Sequence, residues 1–248
     1  MHRRRGQLAQ RGRFGLSLLC LVLGAALAAA GFPETPGSDA AQAPSLESVL
    51  NQMDAAAANF QNAQADFVWD QYQRVVDETD SQKGKLYFRR AGKETQMAAD
   101  ITEPEKKYML FAAGKLSVYQ PKIDQVTEYD AGKDRENVQT FLVLGFGGRG
   151  HDLARSFRVK LGGVEMVDGV RTVKLELVPK SAKARSIFDH VVLWVDPARG
   201  VSLQQKAWEA SGDYRLAKYT NIRINEKIPD DVFQLKTTSK TKVIRPQG

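Results

Sequence analysis

The segment GKLYFRRAGKETQMAADITEPEKKYMLFAAGKLSVYQ, residues 84–120, decides the fold class of this chain. Apolar and polar residues alternate along it, and this period of two predicts β-strands. The four strands are expected at 84–90, 93–101, 107–112 and 115–120. Ala91-Gly92 and Ala113-Gly114 leave room only for tight two-residue turns between neighbouring strands, so these strands are expected to pair as antiparallel hairpins.

The same period of two continues on both sides of this segment. Seven more strands are expected at 65–78, 123–129, 157–162, 170–178, 187–196, 200–210 and 213–225. Turn-forming residues separate several of them, and we expect turns at Asp80–Gly84, Val167–Val170, Asp196–Gly200 and Ser211–Asp213. The sequence therefore predicts a mainly β (α+β) domain of about eleven antiparallel strands, in which so long a sheet curls.

Helices are predicted before and within this series of strands. Ser45 is a suitable N-cap for a helix whose apolar face repeats every 3.6 residues. That face consists of Leu46, Val49, Leu50, Met53, Ala57 and Phe60. A second short helix is expected at 134–146, and a third at about 151–156. Packed against the concave side of the curled sheet, these helices would cover its interior.

The N-terminus has the three parts of an export signal. Arg3, Arg4, Arg5, Arg11 and Arg13 precede an apolar stretch, Leu16–Ala30, that ends in small residues. At 1.5 Å per residue the stretch spans about 22 Å, which is short for a transmembrane anchor. We expect residues 1–30 to be a signal peptide and 31–44 a flexible leader, which predicts a periplasmic location.

Charge and cysteine content exclude several classes of function. Five of the 36 basic residues lie in the expected signal peptide, so 31 basic residues face 29 acidic ones in the remainder. The basic residues form no nucleic-acid pattern. We expect the basic tail at 237–248 to be solvated, and weak contact with anionic lipid headgroups is the lesser alternative. Cys20 is the single cysteine and lies in the signal, so the exported protein has no thiol chemistry.

Motifs for catalysis, metals or cofactors are not evident. His151 and His190 lack a metal-type partner at helical spacing, and no nucleophile elbow, Walker loop or zinc-protease helix occurs. The segment 145–150 matches G-x-G-x-x-G, but this motif indicates a dinucleotide site only between a strand and a helix of a βαβ unit. We predict no enzyme, no metal and no cofactor, and interpret 145–150 as a flexible loop beside a helical lid.

The remaining signal is a surplus of apolar residues in the strands and in the second helix. An ordinary core is one explanation. A curled sheet of this length also encloses more volume than its own side chains fill, so the set is a candidate lining of an apolar cavity. The candidates are Phe67, Trp69, Leu86, Phe88, Met97, Met109, Phe111, Tyr119, Phe141, Leu142, Leu144 and Phe146.

Four segments in order resemble the LolA/LolB family of bacterial lipoprotein carriers. They are Phe60–Phe67, Gly84–Arg90, Val192–Pro197 and Ile228–Phe233. The resemblance covers residues 45–236 and implies an unclosed antiparallel β-barrel with a helical lid. It also implies an apolar cavity for the acyl chains of lipoproteins or another lipid, and a monomer working with an inner-membrane lipoprotein-releasing transporter and an outer-membrane acceptor.

The resemblance also implies a lid latch. In the family, an arginine at the hairpin after the second strand hydrogen-bonds to the backbone of the lid helices. Arg90 is the closest match, and Arg89 is the alternative if the register differs by one residue. Two other functions stay open at this point: an envelope module that senses lipids or lipoproteins, and an enzyme acting on a lipid-like substrate.

Overall fold

One sheet of twelve strands contains every strand of the residues that the computed structural model describes, 44–92, 94–130, 132 and 144–246. In chain order the strands are β1 Asn62–Gln73, β2 Glu78–Ala91, β3 Glu94–Glu103, β4 Lys107–Ala112, β5 Lys115–Gln120, β6 Gln125–Asp130, β7 Phe157–Val167, β8 Val170–Pro179, β9 His190–Asp196, β10 Val201–Trp208, β11 Tyr214–Ile224 and β12 Lys242–Ile244.

The sheet is unclosed, as the resemblance to the LolA/LolB family implies. Its order is β12-β6-β5-β4-β3-β2-β1-β11-β10-β9-β8-β7, so β12 and β7 stand at the two ends. All neighbouring pairs are antiparallel except β12 and β6, which run parallel. The fold class of a mainly β, curled and unclosed antiparallel barrel is thereby confirmed.

The number of strands differs from the predicted eleven because β12 lies in the C-terminal tail. Thr241 Oγ1 donates to Asp124 Oδ1 at 2.6 Å, which holds the tail beside β6. Arg245 Nε then donates to Glu128 Oε2 at 2.7 Å. The free edge of β6 supplies the backbone partners of a three-residue strand, and so short a strand leaves no periodic signal in the sequence.

The first hairpin turns at 74–77 and not at the predicted Asp80–Gly84. β2 begins at Glu78, and its polar start pairs with the end of β1, as Thr79 does with Tyr72. Because this polar stretch is exposed on both faces, it lacks the alternation of apolar and polar residues by which a strand is recognised in a sequence. Gly84 lies inside β2, where a Cβ would overlap the carbonyl oxygen of Asp100.

One long helix, two short helices and two 3-10 turns accompany the sheet in the described residues. Helix α1 is Leu46–Asn59, α2 is Gly150–Ser156 and α3 is Ala182–Arg185, and the 3-10 turns lie at Pro121–Ile123 and Asp230–Phe233. Ser45 caps α1, since its Oγ accepts from the Ser48 amide at 3.1 Å. The predicted α1 face is buried except for Leu46, which is partly buried. Most of the helix expected at 134–146 and all of residues 1–43 lie outside the described residues.

The core consists of two apolar clusters. The first cluster comprises Phe60, Ala63, Ala65, Phe67, Leu86, Phe88, Met97, Ala99, Ile101, Phe111, Phe146, Val201 and Tyr219. The second cluster comprises Val49, Met53, Leu144, Leu153, Phe157, Val173, Leu175, Leu177, Val191, Leu193 and Val195. Helix α1 contributes Val49 and Met53 to the second cluster, and its C-cap Phe60 to the first. No helix in the described part of the chain is long and apolar enough to cross a membrane.

Candidate functional site

The first cluster brings most of the predicted cavity residues to one face of the sheet, here called the inner face. Alternation along the strands places them there, because Phe67 in β1 and Phe88 in β2 point to the same side as Phe111 in β4. Five strand candidates are buried in the first cluster: Phe67, Leu86, Phe88, Met97 and Phe111. Trp69 and Met109 are partly buried and pack against them. These side chains form one contiguous apolar interior.

Tyr119 does not belong to this interior, which corrects the sequence-based assignment. Tyr119 pairs with Tyr108 across β4 and β5, whereas Met109 pairs with Val118. The two tyrosine rings stack at 6.2 Å on the opposite, outer face. The Tyr119 hydroxyl donates to Asp124 Oδ1 at 3.1 Å, and the C-terminal segment covers Tyr119 at this point. Burial of Tyr119 therefore reflects that cover and not a place in the inner face.

The four cavity candidates predicted in the second helix do not lie together in the structure. Leu144 lies in the second cluster, beneath α1 and α2, and Phe146 lies in the first. Phe141 and Leu142 lie outside the described residues. The two residues that the structure describes therefore reach different parts of the core, although they are only two positions apart.

Phe146 reaches the centre of the first cluster. Its ring stacks on Phe88 with centroids 4.6 Å apart and meets Tyr219 edge-on at 4.9 Å. Backbone bonds hold the surrounding loop, since the Ser202 amide donates to Gly145 O at 2.6 Å and the Gly147 amide to Gly200 O at 3.1 Å. The segment that resembles G-x-G-x-x-G is thus a loop that inserts an aromatic side chain into the apolar interior.

Arg90 contacts the end of α1. Its Nη2 donates to the carbonyl oxygen of Ala57 at 3.2 Å, and its own amide donates to Gln61 O at 2.8 Å. The Ala57 carbonyl also accepts from the Phe60 amide at 3.3 Å. Carbonyls in the last turn of a helix carry partial negative charge, so a guanidinium is a favourable second donor there. Arg90 is thereby placed to hold the C-terminal end of α1 against the sheet.

Arg89 points to the outer face. Its Nη1 forms an ion pair with Asp230 at 2.6 Å, its Nε donates to Gln96 at 2.7 Å, and its guanidinium lies 4.1 Å from the ring centre of Phe233. Because side chains alternate between the faces of a strand, adjacent arginines contact different elements. Arg89 fastens the C-terminal segment, and Arg90 contacts the helix.

Asn225 is a positioning residue that sequence reasoning missed. Its Oδ1 accepts from the Gln61 amide at 2.7 Å, and its Nδ2 donates to Asn59 O at 2.8 Å. The residue has φ of 58°, a left-handed conformation that asparagine tolerates better than most residues. It ties the junction of α1 and β1 to the end of β11. The sequence shows an asparagine at the end of a strand, but it does not identify the partners of that asparagine, which lie more than 160 positions away.

His151 joins α2 to α1, a contact that the sequence analysis also missed. Its Nδ1 lies 2.7 Å from Asp54 Oδ2, and its Nε2 lies 3.3 Å from Glu47 Oε1. Arg149 Nη2 lies 3.7 Å from the same Asp54 oxygen. The hydrogen bond to Asp54 raises the pKa of His151, with Glu47 adding to the effect against the opposing cost of desolvation. Among the described residues, no group of three metal-type ligands converges.

We expect the His151→Gln variant to lose stability chiefly at acidic pH. A raised folded-state pKa means that the stabilisation is complete below the unfolded value near 6.5 and is lost as pH rises through the folded value. The melting temperature of the variant should therefore lie further below that of the wild type at pH 5.5 than at pH 9. In an Asp54→Asn background the pH-dependent part should shrink. A loss of stability in the variant that grows with pH would contradict this prediction.

The comparisons with known proteins agree with this geometry. The family model described as outer membrane lipoprotein carrier protein LolA matches residues 58–236. This match shows that the chain belongs to the LolA family, and the sheet that curls without closing and the helix over its apolar face agree with it. No curated protein sequence matches the chain.

Two solved structures share the fold at low sequence identity. An uncharacterized conserved protein from Thermus thermophilus is 11% identical with a TM-score of 0.52, covering 82% of this chain and 100% of its own. MucB is 13% identical with a TM-score of 0.50, covering 80% of this chain and 65% of its own. These similarities support the architecture alone.

Proposed function

We propose that this protein is a periplasmic carrier that holds the acyl chains of lipoproteins, or of a related lipid, and ferries them from the inner to the outer membrane. The observation that carries this proposal is the contiguous apolar first cluster, closed by Phe146 and bordered by an α1 helix end that Arg90 holds. The LolA family match supports the same class of cargo.

The energetics require a shielded site that can open. Removing an acyl chain of about 14 methylenes from water is favourable by roughly 11 kcal/mol at about 0.8 kcal/mol per methylene. A carrier that bound every methylene this well would not release its cargo. Contacts that form only in the empty protein offset part of the gain, and the packing of Phe146 and the Arg90 hydrogen bond supply such contacts.

The proposed cycle needs a donor and an acceptor. An inner-membrane lipoprotein-releasing transporter would load the carrier, and an outer-membrane acceptor would unload it. The protein acts as a monomer without catalysis, cofactor or metal. Residues 1–30 direct export, and cleavage before Gly31 produces the periplasmic form.

Purification of the exported protein followed by lipid mass spectrometry tests this proposal. We expect acylated peptides or lipids to co-purify and a synthetic diacylated lipopeptide to bind. Acceptance of lipoproteins from membrane vesicles should follow in a release assay. A protein that carries no acyl chain and accepts no lipoprotein would refute the carrier function, and a stable signalling partner in its place would favour an envelope-sensing module.

Replacement of Arg90 by leucine should slow the release of cargo. The variant loses a hydrogen bond that stabilises the empty form by about 0.5–1.5 kcal/mol, so the bound form becomes relatively more stable. The dissociation constant of a fluorescent diacylated lipopeptide should therefore fall about 2- to 12-fold in the variant.

Arg89→Leu is the matched control, because this residue is adjacent in sequence and faces the outer side. It should leave lipopeptide retention unchanged. Equal effects of the two substitutions would argue against a latch at Arg90 and would point to a general loss of positive charge.

A further inference from the structure

A cleft of about 110 Å³ lies on the outer face of the sheet, on the side away from the first cluster. Strands β2, β3 and β4 form its floor, and the C-terminal segment 231–236 forms its wall. A single water molecule occupies about 10–15 Å³ on the same scale, so the cleft admits a larger group. The side chains that line it include Tyr87, Asp100, Tyr108, Leu110, Val232 and Leu235.

Asp100 gives this cleft a chemical preference. It lies in β3, opposite Tyr108 of β4 and opposite Lys85 of β2. Its Oδ1 is buried and accepts no hydrogen bond from any described residue. A buried carboxylate oxygen without a donor is costly, so a group that brings a donor to Asp100 gains more than it would at an exposed acid.

Three lysines stand near the cleft, and each has a contact of its own. Lys85 and Lys236 form ion pairs with other carboxylates, each at 2.8 Å. Lys106 Nζ lies 5.2 Å from the ring centre of Tyr108. None of the three supplies a hydrogen bond to Asp100 Oδ1. A ligand can therefore reach this oxygen without breaking either ion pair.

The walls around Asp100 narrow the choice of ligand. Tyr87, Tyr108 and Leu110 offer aromatic and apolar surface, which suits a methylene stem, and tyrosine rings attract an ammonium group. A quaternary ammonium brings the charge but no donor, and a neutral alcohol brings a donor but no charge. A primary alkylammonium brings both, and the lysine side chain is the form in which proteins carry it.

We propose that the outer cleft binds the side chain of a lysine from a partner polypeptide, with Asp100 as the acceptor of its ammonium group. This inference goes beyond the proposed carrier function, because the cleft and the first cluster lie on opposite faces of the sheet. A partner held at the cleft leaves the inner face uncovered, so the protein can hold cargo and partner together. The ion pair of Arg89 with Asp230 fastens the segment that forms the wall of the cleft.

Titration of the exported protein with three matched probes, followed by NMR chemical shifts, tests the inference. The probes are Nα-acetyl-lysine N-methylamide, its Nε-trimethyl derivative, which keeps the charge but has no donor, and Nα-acetyl-norleucine N-methylamide, which keeps only the stem. The lysine probe should bind about 10-fold or more tightly than either of the others, because a hydrogen bond between charged groups is stronger than the contacts that remain. In Asp100→Asn this ratio should fall to about one.

Two further variants complete the test. Asp168→Asn removes an exposed carboxylate at the turn between β7 and β8, away from the cleft, and should keep the wild-type ratio. Leu110→Trp fills the cleft but keeps Asp100, and should abolish binding of the lysine probe, so it decides the matter if Asp100→Asn does not fold.

The outcomes are distinct from those that test the carrier function. Equal binding of the three probes by the wild type, an unchanged ratio in Asp100→Asn, or undiminished lysine binding in Leu110→Trp overturns the inference. Binding of a diacylated lipopeptide should be the same in all these variants and the wild type, because the cleft lies on the opposite face from the first cluster. Melting curves accompany the titrations, so that a loss of folding is not mistaken for a loss of binding.

Discussion

Phe146→Ala should destabilise the protein by about 3–5 kcal/mol, the usual cost of removing a fully buried phenylalanine. The side chain is 1% exposed and contacts two aromatic rings, Phe88 and Tyr219, in the first cluster. Its removal leaves a cavity and ends both ring contacts. Urea unfolding followed by circular dichroism measures the change in the free energy of unfolding.

Two controls accompany this prediction. Phe146→Leu keeps much of the buried volume and should cost clearly less. Tyr129→Ala removes a ring that is 48% exposed and should change the free energy of unfolding by at most about 0.5 kcal/mol. If Phe146→Ala cost less than about 1 kcal/mol, the ring would not fill the interior in solution, and the closing contact proposed for the empty carrier would be lost.

Gly147→Ala should destabilise the protein by about 2–5 kcal/mol, for two separate reasons. Gly147 has φ of +68°, a conformation that costs other residues about 1–2 kcal/mol. Its Cβ would also overlap the ring of Phe60, which is buried at the end of α1, and overpacking typically costs about 1–3 kcal/mol more. Chemical unfolding of the variant measures the sum.

Gly169→Ala separates the two contributions. Gly169 has a similar φ of +78°, but a Cβ there would meet nothing within 4 Å. This variant should therefore show the backbone cost alone, about 1–2 kcal/mol. Equal losses in the two variants would mean that Phe60 moves aside without cost, and that the loop is not closely packed against α1.

Most of the inner face was predictable from sequence. The alternation in β1 to β4 identifies Phe67, Leu86, Phe88, Met97 and Phe111 as members of one face, and the structure buries all five. Strand alternation depends only on the geometry of the extended chain, so a local pattern is sufficient to reveal it. The cap at Ser45 and the buried face of α1 are local in the same sense.

The side of the sheet on which each group of residues lies was less predictable. Tyr119 has the hydrophobic character of a cavity residue, but its burial comes from the C-terminal segment on the outer face. The choice between Arg89 and Arg90 likewise depended on register. A shift of one residue moves a side chain to the opposite face, so an apolar or basic residue type alone does not decide its place.

Contacts between distant segments escaped the sequence analysis altogether. His151 meets Asp54 across 97 positions, and Asn225 meets Gln61 across 164. Neither pair has a spacing that distinguishes it from many other possible pairs. The strand β12 is a related case, because its three residues become a strand only where β6 offers a free edge.

The sequence by itself determined the long antiparallel sheet, the capped first helix and the apolar inner face, since each of these follows from periodicity and turn chemistry within a few residues. Only the tertiary structure decided that Arg90 contacts Ala57, that Phe146 enters the first cluster, and that its ring meets Tyr219. These contacts join residues far apart in the chain, and their geometry exists only once the strands have paired in register.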